Sequence, residues 1–526
     1  MEKNKKISKV YTYLANWHDF RLKLFVEGIL IGLIGGLIIV AFRFALERAE
    51  VLRRLIYHEF QVGRGEFVVL WFVGLIGTAF ILNWLVKIEP MAGGSGIPQV
   101  KGAILGTMKM KWLRILLTKF FGGVLAIGAG LSLGREGPSV QLGAVVGQGL
   151  SRLLGRTRME EKYLLTSGAS AGLAAAFNAP LSGVVFALEE LHKNFSPAVL
   201  MSALAAAVTA DVVTQCFFGY GPIFQFSTLY SLPVRYYGIV LITGIVVGLL
   251  GNLFNRGLLK TLNLYENQTR LSGAAKAALP LITAGMLGFF LPDILGGGND
   301  LVNQLASKPV GFSLLLLLFF GKFFFTMLSY GSGVPGGIFL PMLVLGALAG
   351  SFVSQIMLYL GQLEPQYTMN IVVLAMAAYF SAVVKAPVTG SVLIMEMTGS
   401  FSHLLPLTLV SMIAYLVADL GKAKPVYEAL LERALRKQGK EVADLNGTNR
   451  QIIELVVCMG SMLDKKQIKQ ISWPEHSLLV SIKRGDMELI PRGDTRLAVG
   501  DYIYVLTEMA QRDYLEDLAS EKTEVD

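Results

Sequence analysis

Cysteine, histidine and charge are all scarce in this sequence, and each scarcity excludes a class of protein. The 526 residues include two cysteines and five histidines. Cys216 and Cys458 are far apart and have no metal-type spacing, which argues against a disulfide framework or a zinc site. We expect no metal and no cofactor. Charged residues make up 16% of the chain and hydrophobic residues 53%, a balance that indicates a polytopic membrane protein.

Apolar segments long enough to cross a bilayer, about 20 residues each, recur from Leu24 almost to Leu420. The first is too long for a signal-peptide core and no small-residue cleavage site follows it, so we interpret it as a retained helix. The net charge of +9 comes from lysines and arginines at loops and ends, which is typical of membrane topology and not of nucleic-acid binding. We therefore expect a protein of the cell (inner or plasma) membrane with both termini in the cytoplasm. The predicted spans are residues 24–46, 67–86, 198–218, 237–258, 275–291, 311–330 and 404–420.

A charged pair, Arg135 and Glu136, interrupts the apolar sequence between two of these segments. Ionisable residues at membrane depth are costly and normally face a pathway. Pro138 suits the first turn of a helix, and the neighbouring glycines allow the preceding backbone to turn sharply. Glu136 is then expected at a helix N-terminus, where free N–H groups attract either a carboxylate or a dissolved anion. The alternative is a loop ion pair at a membrane face.

Three short motifs occur twice, which predicts two homologous halves at about residues 20–220 and 235–435. In the second copy of the charged motif, Phe339 stands where Glu136 stands in the first. Two halves with apolar segments broken by glycine and proline at matching places are typical of a transporter whose site lies at the midplane between repeats. Residues 94–98 recur at 331–335, residues 134–144 at 337–347, and residues 179–189 at 386–396.

The composition changes at Lys422, where charged residues become frequent. Residues 428–441 are predicted to form a solvent-facing helix, followed by an irregular segment at 444–449. The end of this helix and the irregular segment together form the predicted linker between the domains, residues 436–450. A small soluble α+β domain is expected at 451–526, after a transport domain at 1–435. Its predicted strands are residues 451–459, 477–483, 487–491 and 501–506, with a tight turn at 484–486 and a closing helix containing Leu515 and Leu518.

Three segments resemble the signature motifs of the CLC chloride channel and transporter family: Gly-Ser-Gly-Ile-Pro (94–98), Gly-Arg-Glu-Gly-Pro (134–138) and Gly-Gly-Ile-Phe-Leu-Pro (336–341). The similarity covers about residues 20–435. It implies an all-α polytopic membrane protein, built as an inverted repeat of broken, tilted helices. It also implies a homodimer with a separate anion path in each subunit. The residues that support the motifs are Gly94, Gly96, Pro98, Gly134, Arg135, Gly137, Pro138, Gly337 and Pro341.

The resemblance also implies a chloride site. Ser95 would offer its hydroxyl, Ile338 and Phe339 their backbone N–H groups, and Tyr427 its phenol. Such a set suits a dehydrated halide, which needs several converging neutral donors, because a full positive charge would hold it too tightly to release it. Taken singly, Ser95 could be a turn or cap residue and Tyr427 a residue of the membrane interface.

Two glutamates match residues that carry protons in the family. Glu136 matches the external gating glutamate, which can take the place of an anion and carry a proton. Glu190 matches the inner glutamate that relays protons in exchangers and is usually apolar in channels. The pair predicts a chloride/proton antiporter, with a passive voltage- or ligand-gated chloride channel as the alternative. Glu189 and Glu190 could also simply solvate a helix end, and Glu189 has a repeat partner, Glu396, which suggests a structural role.

A rival function is an intramembrane serine hydrolase, because residues 168–172 fit the Gly-x-Ser-x-Gly nucleophile pattern. The pattern lacks a base, since His192 and His403 lie at segment ends and the predicted span interiors contain no histidine. Small residues of this kind serve close helix packing. We therefore expect that the protein is not an enzyme.

The C-terminal segment resembles a different module, the TrkA-C (RCK-C) domain of the regulatory subunits of potassium-uptake systems and channels. The matching residues are 453–457, 460–461, 482–484, 491 and 497–505. The resemblance implies a dimer that binds a small ligand, such as a nucleotide of the cyclic dinucleotide class, and regulates transport. The alternative is a module that only stabilises the membrane dimer. A potassium-handling protein is disfavoured because the apolar region has no Thr-Val-Gly-Tyr-Gly filter. The expected partners are chloride, protons, membrane lipid and a second copy of the chain, with no nucleic acid.

Overall fold

The computed structural model describes residues 2–61, 67–193, 196–224, 226, 229–307, 310–438, 450–475, 477–484, 487–508 and 511–520. The chain divides into two compact units, Met1–Leu431, here called the membrane unit, and Glu432–Asp526, here called the tail. Most of the predicted linker, residues 439–449, and the centre of the predicted turn, residues 485–486, lie outside the described residues.

In the described part of the membrane unit the regular elements are helices, with one π-helical segment, Ala187–His192. The helices are α1 Glu2–Gln61, α2 Phe67–Ile88, α3 Ile97–Ile104, α4 Trp112–Gly128, α5 Glu136–Leu153, α6 Arg158–Phe177, α7 Pro180–Phe186, α8 Pro197–Phe218, α9 Tyr237–Asn267, α10 Gly273–Phe290, α11 Asn299–Ser307, α12 Phe312–Gly331, α13 Phe339–Tyr359, α14 Thr368–Val384, α15 Pro387–Thr398, α16 Leu404–Leu420 and α17 Val426–Lys437.

Among the described residues, nine helices are long and apolar enough to cross a membrane. The seven predicted spans correspond to seven of these nine. The other two, Phe339–Tyr359 and Pro365–Val384, are 83% buried inside the protein, whereas α2 exposes Leu70, Phe80 and Trp84. Exposed apolar faces of this kind are suited to lipid. The chain is a multi-pass membrane protein.

Helices α5 and α6 are held together by backbone contact, which only small residues permit. The Cα atoms of Gly143 and Gly168 each face the backbone of the other helix, and Gly172 faces the carbonyl of Ser139. A side chain at any of these glycines would collide with that backbone. The small residues at 168–172 therefore serve helix packing, and the Ser170 hydroxyl is buried and donates to the carbonyl of Ala203.

Taken in order along the chain, helices α2–α8 of the first half correspond to helices α10–α16 of the second half. In this order residues 94–98, which precede α3, correspond to residues 296–300, which precede α11. The predicted correspondence of 94–98 with 331–335 is wrong, because residues 331–335 join α12 to α13. The two sequences resemble each other because both turns need glycine with positive φ at the third position, Gly96 (95°) and Gly333 (77°). They lie side by side, and the Gly94 N–H donates to the Gly333 carbonyl at 3.2 Å.

The tail contains a four-stranded antiparallel sheet in the order β1-β4-β2-β3, with helix α18 after it. Alternate residues of three of the strands, such as Ile453, Ile482 and Ile503, point into one apolar core with Leu515 and Leu518 of α18. The predicted strands and closing helix agree with this domain. The elements are β1 Arg450–Val456, β2 Leu478–Arg484, β3 Met487–Leu489, β4 Tyr502–Glu508 and α18 Arg512–Ser520.

Candidate functional site

Among the helices of the membrane unit that begin without a capping side chain are α3, α5 and α13. Their N-cap residues are Gly96 for α3, Arg135 for α5 and Ile338 for α13, and none of these side chains accepts a hydrogen bond from the first turn. By contrast, α6 has a full capping box between Thr157 and Glu160. The first N–H groups of a helix have no intrahelical acceptor and carry the positive end of the helix dipole. Uncapped N-termini in a protein interior are therefore suited to an anion.

Glycines bring these three N-termini together. Gly134 and Gly337 form an isolated antiparallel bridge: the Gly134 N–H donates to the Gly337 carbonyl at 2.7 Å, and the Gly337 N–H to the Gly134 carbonyl at 2.8 Å. A Cβ atom on Gly137 would lie 2.5 Å from the Ser95 hydroxyl oxygen and 3.3 Å from Cα of Gly337. Ser95, Glu136 and the start of α13 at Ile338 therefore meet at one place, as the motifs predict.

Glu136 is fully buried at this meeting point. Among the described residues no side chain donates to its carboxylate oxygens, which lie near the backbone N–H groups of Glu136 and Leu340. A Cβ atom on Gly134 would contact both the Glu136 carboxylate and the backbone nitrogen of Leu340 in the first turn of α13. The Arg135 side chain instead donates to the Ala176 carbonyl at 3.4 Å. The structure thus contains a buried carboxylate beside two helix N-termini, and not the alternative loop ion pair.

Two buried hydroxyls accompany it. The Ser95 and Tyr427 side chains are 1% and 0% exposed, and within the described part of the chain neither hydroxyl oxygen has a hydrogen-bond partner. The Tyr427 ring lies 6.5 Å from the ring of Phe186, which lies 6.1 Å from the ring of Phe339 at the start of α13. A buried hydroxyl without a partner is costly. Both groups are chemically suited to donate to an anion.

A cavity of about 320 Å³ adjoins the Arg135 side of this meeting point. Its lining includes Arg53, Arg135, Asp300 and Leu340. Leu340, whose backbone nitrogen lies near the Glu136 carboxylate, lines this cavity, whereas Glu136 itself does not. Over the residues that the structure describes, no group of three His, Cys, Asp or Glu side chains could hold a metal ion.

Glu190 lies on the π-helical segment Ala187–His192 and is buried. Its Oε1 atom accepts a hydrogen bond from Lys101 Nζ at 2.7 Å, and the two side chains are 4% and 3% exposed. Glu189 accepts hydrogen bonds from the N–H groups of Val388 and Thr389 at the start of α15. The alternative that this glutamate pair merely solvates a helix end is therefore wrong, because Glu190 is in a buried ion pair and Glu189 caps a helix.

The charged neighbours of Glu428 predict a solvent-facing helix, and for Glu428 this prediction is wrong. Its side chain is 31% exposed and lies 3.3 Å from Lys101 Nζ, and it also pairs with Lys193. Leu430 and Leu431 on the same helix are buried. The start of α17 is attached to the membrane unit because one of its faces is apolar, which the density of charge in the sequence conceals.

Two lysines that the sequence interpretation did not single out support the loops before α3 and α11. Lys119 is fully buried and donates to the carbonyls of Ala92 and Gly94 at 3.0 and 2.6 Å. Lys322, also fully buried, donates to Ile294 and Gly296 at 3.0 and 2.7 Å. A lone lysine inside an apolar segment, at the same place in each half, is the signal that could have revealed them.

Comparison with known proteins assigns the family. The sequence model of the voltage gated chloride channel family matches residues 77–419, and that of the TrkA-C domain matches residues 452–520. The chain belongs to the voltage gated chloride channel family. This is the CLC family predicted from the three motifs, so the prediction of family, fold class and C-terminal domain is confirmed.

Relatives of this CLC protein cover most of the chain. It is 35% identical over 434 residues to the H(+)/Cl(-) exchange transporter ClcA of Vibrio cholerae serotype O1, covering 79% of this chain and 91% of that protein. The Salmonella agona protein of the same name is 34% identical over 434 residues, covering 79% and 89%. The crystal structure of a slow cyanobacterial Cl-/H+ antiporter has a TM-score of 0.76 at 31% identity, covering 79% of this chain and 99% of that one.

Proposed function

We propose that this CLC protein is a secondary active chloride/proton antiporter of the cell membrane, with both termini in the cytoplasm, and that it is not an enzyme. The observation that carries the proposal is the meeting of uncapped helix N-termini with two unpartnered buried hydroxyls, Ser95 and Tyr427, beside the unpaired carboxylate of Glu136. Relatives that share about a third of the sequence and bear the name of H(+)/Cl(-) exchange transporter support it.

Chloride is held by neutral donors in this proposal. Ser95 and Tyr427 supply hydroxyls, and Ile338 and Phe339 supply the backbone N–H groups of the uncapped start of α13. Neutral dipoles that converge in a buried place stabilise a halide without holding it irreversibly. Glu136 competes for the same helix N-termini when it is ionised and releases them when it is protonated. One residue then acts as the external gate and as the proton carrier.

Glu190 is the internal proton relay in this proposal. Its carboxylate is buried and faces Lys101 rather than bulk solvent, as suits a residue that exchanges a proton without lying on the anion path. The alternative function is a passive chloride channel, which the family also contains. Glu190 favours exchange, because an ionisable residue buried here has no evident use in a channel.

The tail is proposed as a cytoplasmic regulatory dimer that binds a small cytosolic ligand such as a nucleotide. The match of residues 452–520 to the TrkA-C domain supports this. A ligand that alters transport must bind two transport states with different affinities. Truncation after Gly447 tests it: we expect a stable dimer of the remaining chain whose flux no longer responds to the nucleotide. Loss of the dimer, with no nucleotide effect on the intact protein, would support the scaffold alternative.

The decisive experiment measures chloride and proton flux together in proteoliposomes of the purified protein. A chloride gradient should drive protons uphill. Glu136→Gln should abolish proton movement while chloride still passes, because a neutral amide imitates the protonated gate and cannot titrate. Glu190→Gln should also stop protons and spare chloride. Chloride flux without proton flux in the unmodified protein would leave the channel as the function.

Ser95 provides a separate test of the anion site. Replacement by proline removes the hydroxyl and the backbone N–H at one position. We expect Ser95→Pro to raise the flux of nitrate relative to chloride. An unchanged ratio would show that Ser95 does not line the anion path.

A further inference from the structure

Lys101 is a buried cation that the proposed function does not use. It lies on α3, the helix that follows Ser95, and its side chain is 3% exposed. Its Nζ atom lies 2.7 Å from a Glu190 oxygen and 3.3 Å from a Glu428 oxygen. Glu428 pairs in turn with Lys193, which directly follows the π-helical segment carrying Glu190. The four side chains form one group, here called the Lys101 cluster.

The cluster balances its charges only while Glu190 is ionised. It then contains two ammonium groups and two carboxylates, and Lys101 is shared between both carboxylates. Protonation of Glu190 removes the nearer counter-charge of a lysine that is almost wholly buried. An isolated buried ammonium is strongly disfavoured. Lys101 then has Glu428 as its remaining carboxylate partner within the cluster.

The cluster touches each element that supplies a hydroxyl to the anion site. Ser95 stands two residues before α3, the helix that carries Lys101. Tyr427 is the immediate neighbour of Glu428 in the first turn of α17. A movement of Lys101 from Glu190 toward Glu428 therefore acts between the helices next to Ser95 and Tyr427. Neither the motifs nor the comparisons assign a role to this contact.

We propose that Lys101 is a positioning residue shared between Glu190 and Glu428, through which the protonation of Glu190 is transmitted to α17 and so to the chloride site at Tyr427. The proposal rests on the role of Glu190 in the proposed function. The charged and titratable groups that face Glu190 are Lys101 from α3, Glu428 and Tyr427 from α17, and Lys193, which follows its own segment. On that segment His192 lies against Tyr163 of α6, and Glu189 accepts hydrogen bonds from the start of α15.

The sign of the effect follows from the charges. When Glu190 is protonated, one negative charge is lost from the cluster while Lys101 remains positive, so chloride should bind more tightly in acidic buffer. A coupling of this kind is typically worth about fivefold or more in affinity. If Glu190 acted on chloride only through space, removing the Lys101 ammonium would shift the pH at which the dependence occurs, because Glu190 loses its counter-charge, but would leave its full extent. Transmission through Lys101 predicts that the dependence shrinks.

The test is calorimetric titration of the purified full chain with chloride at a series of pH values from acidic to alkaline, so that the extent of the dependence is read separately from the pH at which it occurs. All proteins carry Glu136→Gln, so that the gate does not titrate. The reference protein should bind chloride about fivefold or more tightly in acid, and adding Glu190→Gln should remove the difference. Adding Lys101→Met or Glu428→Gln should bring the ratio close to one, whereas Lys101→Arg, which keeps the charge, should retain it.

Lys385→Met is the matched control, because Lys385 is also largely buried and forms an ion pair of the same length, 2.7 Å, with the exposed Asp419 outside the cluster. It should leave the acid-to-alkaline ratio unchanged. A full ratio in folded Lys101→Met and Glu428→Gln proteins would overturn the proposal, and so would a reference protein whose affinity ignores pH. Binding is measured without transport. Failure of proton flux in liposomes therefore refutes the proposed antiporter alone, and a flat binding ratio refutes the transmission alone.

Discussion

Each half of the membrane unit supplies a glutamate that caps a helix of the other half. This arrangement predicts that two distant mutations lower the stability of the protein by the same amount. Glu396 accepts hydrogen bonds from the N–H groups of Leu181 (3.1 Å) and Ser182 (2.7 Å) and from the Ser182 hydroxyl, at the start of α7. Glu189 does the same at the start of α15, as described above. The perturbation is Glu396→Ala or Glu189→Ala, each of which removes one cap and leaves the other.

The magnitude follows from what each carboxylate does. Loss of a helix N-cap costs about 1 kcal/mol, and loss of a negative charge at a partly buried N-terminus costs up to about another 1 kcal/mol. Each alanine variant should therefore be destabilised by about 2 kcal/mol. The corresponding glutamine variants keep one acceptor oxygen and should lose about 1 kcal/mol, the charge contribution alone.

The assay is thermal unfolding of the detergent-solubilised protein at one scan rate and one chloride concentration, since unfolding of such a protein is governed by rate as well as equilibrium. An alanine variant should unfold about 2 to 4 °C lower than the unmodified protein. The two alanine variants should agree with each other. If one alanine variant unfolded at the temperature of the unmodified protein while the other unfolded at a lower temperature, the two caps would not stabilise the protein equally and the reasoning would be refuted.

Three further outcomes are expected. Lys119→Met should lower both chloride affinity and protein stability, because it frees the carbonyls next to Ser95. Lys322→Met should lower stability to a similar degree but leave chloride affinity unchanged. Equal losses of chloride affinity in the two variants would contradict this. Gly168→Ala should prevent close packing of α5 and α6, seen as loss of the monodisperse peak in gel filtration. Burial raises the pKa of Asp501, but hydrogen bonds from Arg484 at 2.7 Å and from a backbone N–H more than offset this, so the net pKa lies below its ordinary value. The ionised Asp501 therefore contributes fully to tail stability above its pKa in the unfolded chain, about 3.9. This contribution is lost as the pH falls through the lower pKa of Asp501 in the folded tail. Asp501→Asn should therefore make the unfolding of the tail less dependent on acidic pH.

The sequence predicted the elements that depend on local pattern. Long apolar segments identified the spans, and alternating residues such as Ile453 and Ile503 identified the tail strands. These features could be predicted because each rests on neighbouring residues alone. The meeting of the helix N-termini near Glu136 was implied instead by the resemblance of three motifs to the CLC family.

Contacts between distant segments could not be predicted in this way. The Lys101–Glu190 pair joins residues 89 positions apart, and the Lys101–Glu428 pair joins residues 327 positions apart. Glu428 was assigned to solvent because its neighbours are charged, while its partner lies on another helix. The pairing of 94–98 with 331–335 failed for a related reason, since glycine-rich turns resemble each other wherever φ must be positive.

The repeat separates residues that build the frame from residues that carry the chemistry. Frame residues occur in matched pairs: Gly134 with Gly337, Lys119 with Lys322, and Glu189 with Glu396. The proposed functional residues occur once, and their counterparts cannot do the same work. Phe339 stands opposite Glu136, Met397 opposite Glu190, and Gly297 opposite Ser95.

This asymmetry has a physical reason. Two equivalent carboxylates at adjoining helix N-termini would repel each other and compete for the same N–H groups, so only one helix can carry the gate. The other helix must leave its first-turn N–H groups to the anion, which an apolar residue such as Phe339 does. Two halves of the same fold can therefore form a site with distinct outer and inner sides only where corresponding side chains of the two halves differ. Lys101, which has Asn303 at the corresponding place in the second half, falls on the functional side of this division, as the transmission from Glu190 to Tyr427 requires.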